Sequence, residues 1–205
     1  MRFTDKINLP YDENYGYTYL VMGSSRSGKT TFLLHLLDKF HKKNTINIFF
    51  VSNMNNAIYD DLKHPEDYII TYYHPEIIKM AHDINKNNGN KFKFNIIFDD
   101  VVNIKNDKEV MKALTIYRNS NISTFLLIQS PILLNSVART NINYLFFFRF
   151  NSDEMIEIVI KKYLNTWLKG RLLDKMKEYK DLTDNHKYIF IDNLEDNIVN
   201  SKLKL

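Results

Sequence analysis

The stretch "MGSSRSGKTT", Met22 to Thr31, decides the fold. The chain has 205 residues but only 5 glycines, and two of them, Gly23 and Gly28, fall inside these ten positions. Gly23-Ser24-Ser25-Arg26-Ser27-Gly28-Lys29-Thr30 fits the pattern G-x-x-x-x-G-K-[ST] at every fixed position. Glycines let the backbone turn tightly with its N–H groups facing inward as an anion nest. Lys29 is placed to reach the β- and γ-phosphates of a nucleotide, and the Thr30 hydroxyl to ligate Mg²⁺. Ser24, Ser25, Arg26, Ser27 and Thr31 complete the expected nucleotide-binding set. A helix opening near Lys29 would aim the positive end of its dipole at the phosphates. ATP and Mg²⁺ are thus the expected ligands. A Ser/Gly-rich surface turn would satisfy the same letters, but a strand before the loop and a helix after it argue for phosphate.

Both neighbours have the right pattern. "YTYLVM" (17–22) predicts a strand. "KTTFLLHLLDKFHKK" predicts a helix, with Phe32, Leu33, Leu36, Leu37 and Phe40 at three- and four-residue spacing. Further along, "INIFFVS", "YIITYY", "FNIIFDD", "STFLLIQS" and "YLFFFRF" read as strands. "PEIIKMAHDINKNN" reads as a helix opened by Pro75 and stopping near Gly89, and "DKEVMKALTIYRN" as another. A short helical turn follows Pro131. Residues 152–180 read as one helix or two, with a break at Gly170, and "KYIFIDN" is expected to close the chain as a strand. Strands alternating with helices imply βαβ units. The continuously apolar strands imply cover on both faces. The expected fold is therefore α/β: a three-layer P-loop NTPase fold with a mostly parallel central sheet. Its binding crevice should lie at the carboxyl ends of the central strands. One domain spans 1–205, with a lead segment over about 1–16 and C-terminal helices plus a final strand over 151–205.

A phosphate loop needs an acidic partner for Mg²⁺ at the end of a neighbouring strand. "NIIFDD" supplies Asp99 as the metal's partner and Asp100 as general base or orienter of the attacking water. Gln129, ending "STFLLIQS", is placed to sense the γ-phosphate or that water. Arg118 and Arg139 flank this strand and the turn after it. Either could stabilise charge on the transferring phosphoryl group from across a subunit boundary. Arg149 is a weaker candidate.

Composition narrows the classes. With no cysteine, disulfides and thiolate metal sites are excluded. The six histidines show no metal-ligand spacing. The net charge of +4 leans mildly toward a polyanionic partner. Lys161, Lys162, Lys169, Arg171, Lys175 and Lys177 could form a DNA-facing stripe, although a plain exposed helix face explains them as well. Trp167 reads as packing for the C-terminal helix. No signal peptide or membrane-spanning run is visible, so a cytosolic protein is expected.

With the motifs placed, their order resembles the genome-packaging ATPases of large DNA viruses, the poxvirus-type branch of the FtsK–HerA superfamily. The carrying segments are "GSSRSGKTT", "NIIFDD", "YRNSNISTFLLIQSP" and "VARTNINYLFFFR". Arg118, Gln129, Pro131, Arg139 and Asn141 match the family's arginine before a Gln-ended strand, its proline turn and its Arg-x-Asn. The resemblance spans roughly Tyr17 to Phe150. Two positions depart from it: Asn119 stands where the family often has histidine, and Asp100 where it often has glutamate. The resemblance implies a homo-oligomeric ring, hexamer or pentamer, with ATP at subunit boundaries and double-stranded DNA through the centre. It also implies capsid or portal-vertex partners, and action in the host cytoplasm (the viral factory) or at the virion vertex. Arg118 or Arg139 would then serve a neighbour's ATP.

Two other functions share these motifs. A small-molecule P-loop kinase would need an arginine-rich lid and a substrate insert. The Gln129 strand end and the Asn-rich segment after Asp100 argue against it. An ATP-binding scaffold or clamp with slow turnover would carry the same phosphate loop.

Overall fold

The computed structural model describes residues 2–3, 15–52, 59, 67–100, 107–195, 197–201 and 203–204. Most of the expected lead segment and the Asn-rich segment after Asp100 lie outside the described residues. Among the described residues ten strands are numbered in chain order: β1 (Arg2–Phe3), β2 (Thr18–Met22), β3 (Thr45–Val51), β4 (Tyr68–Ile70), β5 (Lys93–Asp99), β6 (Ile122–Ile128), β7 (Tyr144–Phe147), β8 (Tyr188–Asp192), β9 (Asn197–Ser201) and β10 (Leu203–Lys204). The helices are α1 (Lys29–Phe40), α2 (Pro75–Asn87), α3 (Lys108–Thr115), α4 (Ser136–Thr140), α5 (Asp153–Val159) and α6 (Leu172–Leu182).

Eight strands form one sheet in the order β4-β3-β5-β6-β2-β7-β8-β9. Every pairing from β4 to β7 is parallel, while β8 and β9 add antiparallel pairings. Strand β6 is inserted between β2, which leads into the phosphate loop, and β5, which ends in Asp99.

The alternation along β2 shows why the sheet has two cores. Leu20 and Met22 join the cluster packed by α2, α3, α5 and α6. Tyr19 and Val21 join the opposite cluster, with Phe32, Leu33, Leu36 and Leu37 of α1. Side chains two apart share a face of a strand, so a parallel strand buried on both sides is mostly apolar, and the buried Thr18 of β2 spends its polar atoms on Asn143. All five residues of β2 are buried. The three-layer expectation is met.

Three differences from the sequence reading have local causes. "KYIFIDN" forms β8 but does not close the chain: β9 pairs antiparallel with it, and β10 pairs with β1. The polar composition of "NIVNS" concealed β9, since Asn is depleted in strands. The lead segment likewise contributes a strand, Arg2–Phe3, paired with Leu203–Lys204. The helix expected through "LTIYRN" ends at Thr115 and tightens into a 3₁₀ turn over Tyr117–Ser120, closed by Asn121 at φ 58°. The break expected at Gly170 is present, at φ 93°, and a π-helical turn over Ile160–Leu164 extends α5 toward it. Trp167 packs against the larger core as expected.

Gly16 leads into β2 with its N–H donating to Arg118 O at 2.9 Å. A Cβ on this residue would stand 1.8 Å from Ile122 O, a backbone atom that cannot step aside. Gly16→Ala should therefore destabilise the fold by about 3 kcal/mol. A lower urea midpoint at unchanged slope would show it; an unchanged midpoint would mean that β2 and β6 separate more freely than their full pairing implies.

Candidate nucleotide-binding site

The phosphate loop is anchored by the end of β6 and the segment that follows β7. Gly23 N donates to Ile128 O at 3.3 Å and Ser24 N to Arg149 O at 3.0 Å. Asn151 N donates to Ser24 Oγ at 2.9 Å. The two glycines have separate tasks. A Cβ on Gly23 would fall 2.7 Å from Phe148 Cβ and 2.8 Å from Ser27 Oγ, so the backbone there passes too close for a side chain. Gly28 sits at φ 101°, which L side chains rarely adopt, and caps the start of α1. Arg26 also lies in the left-handed region, at φ 60°, with its side chain exposed.

Lys29 is 5% exposed, and its ammonium donates to Gly23 O at 2.9 Å and Ser24 O at 3.0 Å. Burial lowers its pKa, opposed by the negative charges of Asp100 and Asp99. Thr30 Oγ1 donates to Asp99 Oδ2 at 3.0 Å. Asp99 is 4% exposed, and burial raises its pKa. The hydrogen bond from Tyr59 works against that rise, the charge of Asp100 adds to it, and Thr30 and Lys29 oppose it. Gln129 Nε2 donates to Asp100 Oδ2, which joins the ends of β5 and β6 at the same edge. Asp100 turns away from the strand at φ 54°. The phosphate loop, Thr30, Asp99, Asp100 and Gln129 are thus brought together at the carboxyl edge of the sheet.

Arg118 and Arg139 are not part of this group. Arg118 precedes the amino end of β6, at the opposite edge of the sheet. Its Nη1 and Nη2 reach Asn143 Oδ1 and Asn141 Oδ1, both at 3.4 Å, a length at which hydrogen bonds are weak. Asn143 is itself held firmly, accepting from Thr18 N and Thr18 Oγ1 at 2.9 Å. Arg139 lies on α4, with Nη1 donating to Leu134 O at 2.8 Å. Arg149 pairs with Asp184 at 2.5 Å on the surface.

Two residues at the site escaped the sequence reading. Tyr59 donates its hydroxyl to Asp99 Oδ2. An Ile-Tyr pair in an otherwise Asn- and Asp-rich stretch was its only signal. His186 Nδ1 lies 3.2 Å from Ser27 O, to which it donates in the tautomer with its proton on Nδ1. Nothing in "TDNHK" distinguished it from a surface histidine.

The donor set suits Mg²⁺. Thr30 and Asp99 offer oxygen alone, and among the described residues no cluster of three or more His, Cys, Asp or Glu could hold a metal unaided. A magnesium ion bound by one or two protein oxygens completes its shell from phosphates and water. The buried Ser27 Oγ has no hydrogen-bond partner among the described residues, so the loop retains a polar atom for a ligand to satisfy.

A phosphate loop on a mostly parallel sheet, with an acid pair and a glutamine on the next strands along, defines a P-loop NTPase fold. The pattern of the Poxvirus A32 protein family matches residues 13–204, and the chain belongs to that family. No curated protein sequence matches the chain. Among solved structures, it is similar to B204, the DNA-packaging ATPase of Sulfolobus turreted icosahedral virus. That match has 13% identity and a TM-score of 0.67, covering 94% of this chain and 100% of that one. The genome-packaging NTPase B204 of Sulfolobus turreted icosahedral virus 2, in complex with ATP-γS, matches at 13% identity and TM-score 0.66, over 93% and 98% of the two chains. The pCW3 conjugation coupling protein TcpA, also with ATP-γS, matches at 16% identity and TM-score 0.66, over 96% of this chain and 63% of that one. At these identities the likeness is one of fold.

Proposed function

We propose that the chain is an ATP-hydrolysing motor that moves double-stranded viral DNA into a preformed capsid. The observation that carries the reading is the meeting of Lys29, Thr30, Asp99, Asp100 and Gln129 at one sheet edge. Membership of the Poxvirus A32 family gives the chemistry its context. The packaging function named for the structurally similar B204 proteins supports the same direction.

Each residue has a task in that reading. Lys29 leaves the carbonyls of Gly23 and Ser24 to neutralise the β- and γ-phosphates. Thr30 and Asp99 hold Mg²⁺, which when bound neutralises phosphate charge and orients the leaving group. Asp100 accepts the proton of the attacking water, or orients it, and Gln129 fixes the Asp100 carboxylate. Arg118 or Arg139 acts on the ATP of a neighbouring subunit in a hexameric or pentameric ring. DNA runs through that ring, and capsid or portal-vertex proteins hold it. The place of action is the viral factory in the host cytoplasm or the virion vertex. No helix among the described residues is long and apolar enough to cross a membrane.

Steady-state ATP hydrolysis, with and without long double-stranded DNA at two salt concentrations, tests this. The expected result is stimulation by DNA that weakens as salt rises, since phosphate contacts release counterions. Turnover indifferent to DNA at both salts would favour the clamp.

A further inference from the structure

Asp99 Oδ2 accepts two hydrogen bonds. One comes from Thr30 Oγ1 in the phosphate loop at 3.0 Å, the other from the Tyr59 hydroxyl. Tyr59 is 4% exposed, stands edge-on to Phe49 with ring centroids 5.6 Å apart, and belongs to the core on the α1 side. A phenol so placed is held by packing, and its polar tip is fixed against the carboxylate.

A carboxylate has two oxygens and a soft terminal torsion. Two protein donors on Oδ2 fix that torsion and leave Oδ1 as the oxygen for further partners. We infer that Tyr59 is a positioning residue for the divalent cation, with its hydroxyl locking the Asp99 carboxylate in the rotation that presents Oδ1 to the metal's water shell. The inference rests on the metal reading proposed above. It assigns Tyr59 the part that outer-shell partners play at metal sites, where losing one commonly weakens metal binding by tenfold or more while leaving the ligands in place. Tyr59 touches neither nucleotide nor water in this role, so its effect should appear in metal affinity before it appears in nucleotide affinity.

The test uses the full chain with ATP-γS. Free Mn²⁺ is followed by electron paramagnetic resonance in the wild type and in Tyr59→Phe, which keeps the ring and removes only the hydroxyl. The substitution should weaken Mn²⁺ binding to the nucleotide-bound protein about tenfold. Affinity for ATP-γS in the absence of metal should stay the same. Equal Mn²⁺ affinities in the two proteins would overturn the inference and leave the phosphate-loop reading intact. A wild type that binds ATP-γS neither with nor without metal would overturn both. If Tyr59→Phe does not fold, 3-fluorotyrosine at position 59 of the wild-type chain replaces it. Its ¹⁹F resonance should move when Mg²⁺ is added to the ATP-γS complex, and a resonance that stays put would overturn the inference.

Discussion

Replacing Lys29 with alanine should lower ATP turnover by about 10³-fold, the scale seen when one preorganised charge-stabilising donor is lost. Lys29 is buried, and its ammonium is already held inside the loop by Gly23 O at 2.9 Å and Ser24 O at 3.0 Å. It needs no large movement to meet a phosphate. The negative charges of Asp99 and Asp100 both favour its charged form. Without it, two carboxylates face an incoming polyphosphate with one less compensating charge, so nucleotide affinity should fall along with the rate. Phosphate release under steady-state conditions measures the loss, with thermal unfolding as a check that the fold survives. A variant that hydrolysed ATP at the wild-type rate would exclude the phosphate-loop reading and the motor together.

Asp100→Asn should lower kcat by about 10²- to 10³-fold while KM for ATP moves only a few-fold, because proton acceptance is a transition-state role. The substitution is well controlled by the local backbone. Asp100 lies at φ 54°, a region that Asn occupies as readily as Asp. An alanine there would add backbone strain to the loss of charge, whereas Asn removes the charge alone. The amide oxygen of Asn can still accept from Gln129 Nε2, so the link between the ends of β5 and β6 survives. Separate determination of kcat and KM decides the matter. A rise in KM at unchanged kcat would make Asp100 a binding residue and move the base elsewhere.

Much of this site was legible from short, locally determined signals. The phosphate loop is contiguous, and its two glycines answer separate needs at that point: close approach at Gly23, positive φ at Gly28. Asp99, Asp100 and Gln129 were legible because a parallel strand delivers the residue after its apolar run to the carboxyl edge. Tyr59 and His186 were not, because each reaches the site from a distant part of the chain and no periodicity encodes such a contact. The final strands were missed for a different reason. Strand β9 gains its hydrogen bonds from β8, and its own composition carries little strand preference.

Strand β6 runs from the turn that holds Arg118 to the residue just before Gln129, about 20 Å for its seven residues at the usual rise. Both ends of this rod carry candidate chemistry, and they face opposite edges of the sheet. On the reading in which Arg118 serves a neighbour's nucleotide, each polypeptide is a donor at one edge and an acceptor at the other. A lesion at Lys29 and a lesion at Arg118 would then behave as separate complementation groups within a single gene: in mixed assemblies, an intact loop from one lineage would meet an intact arginine from the other.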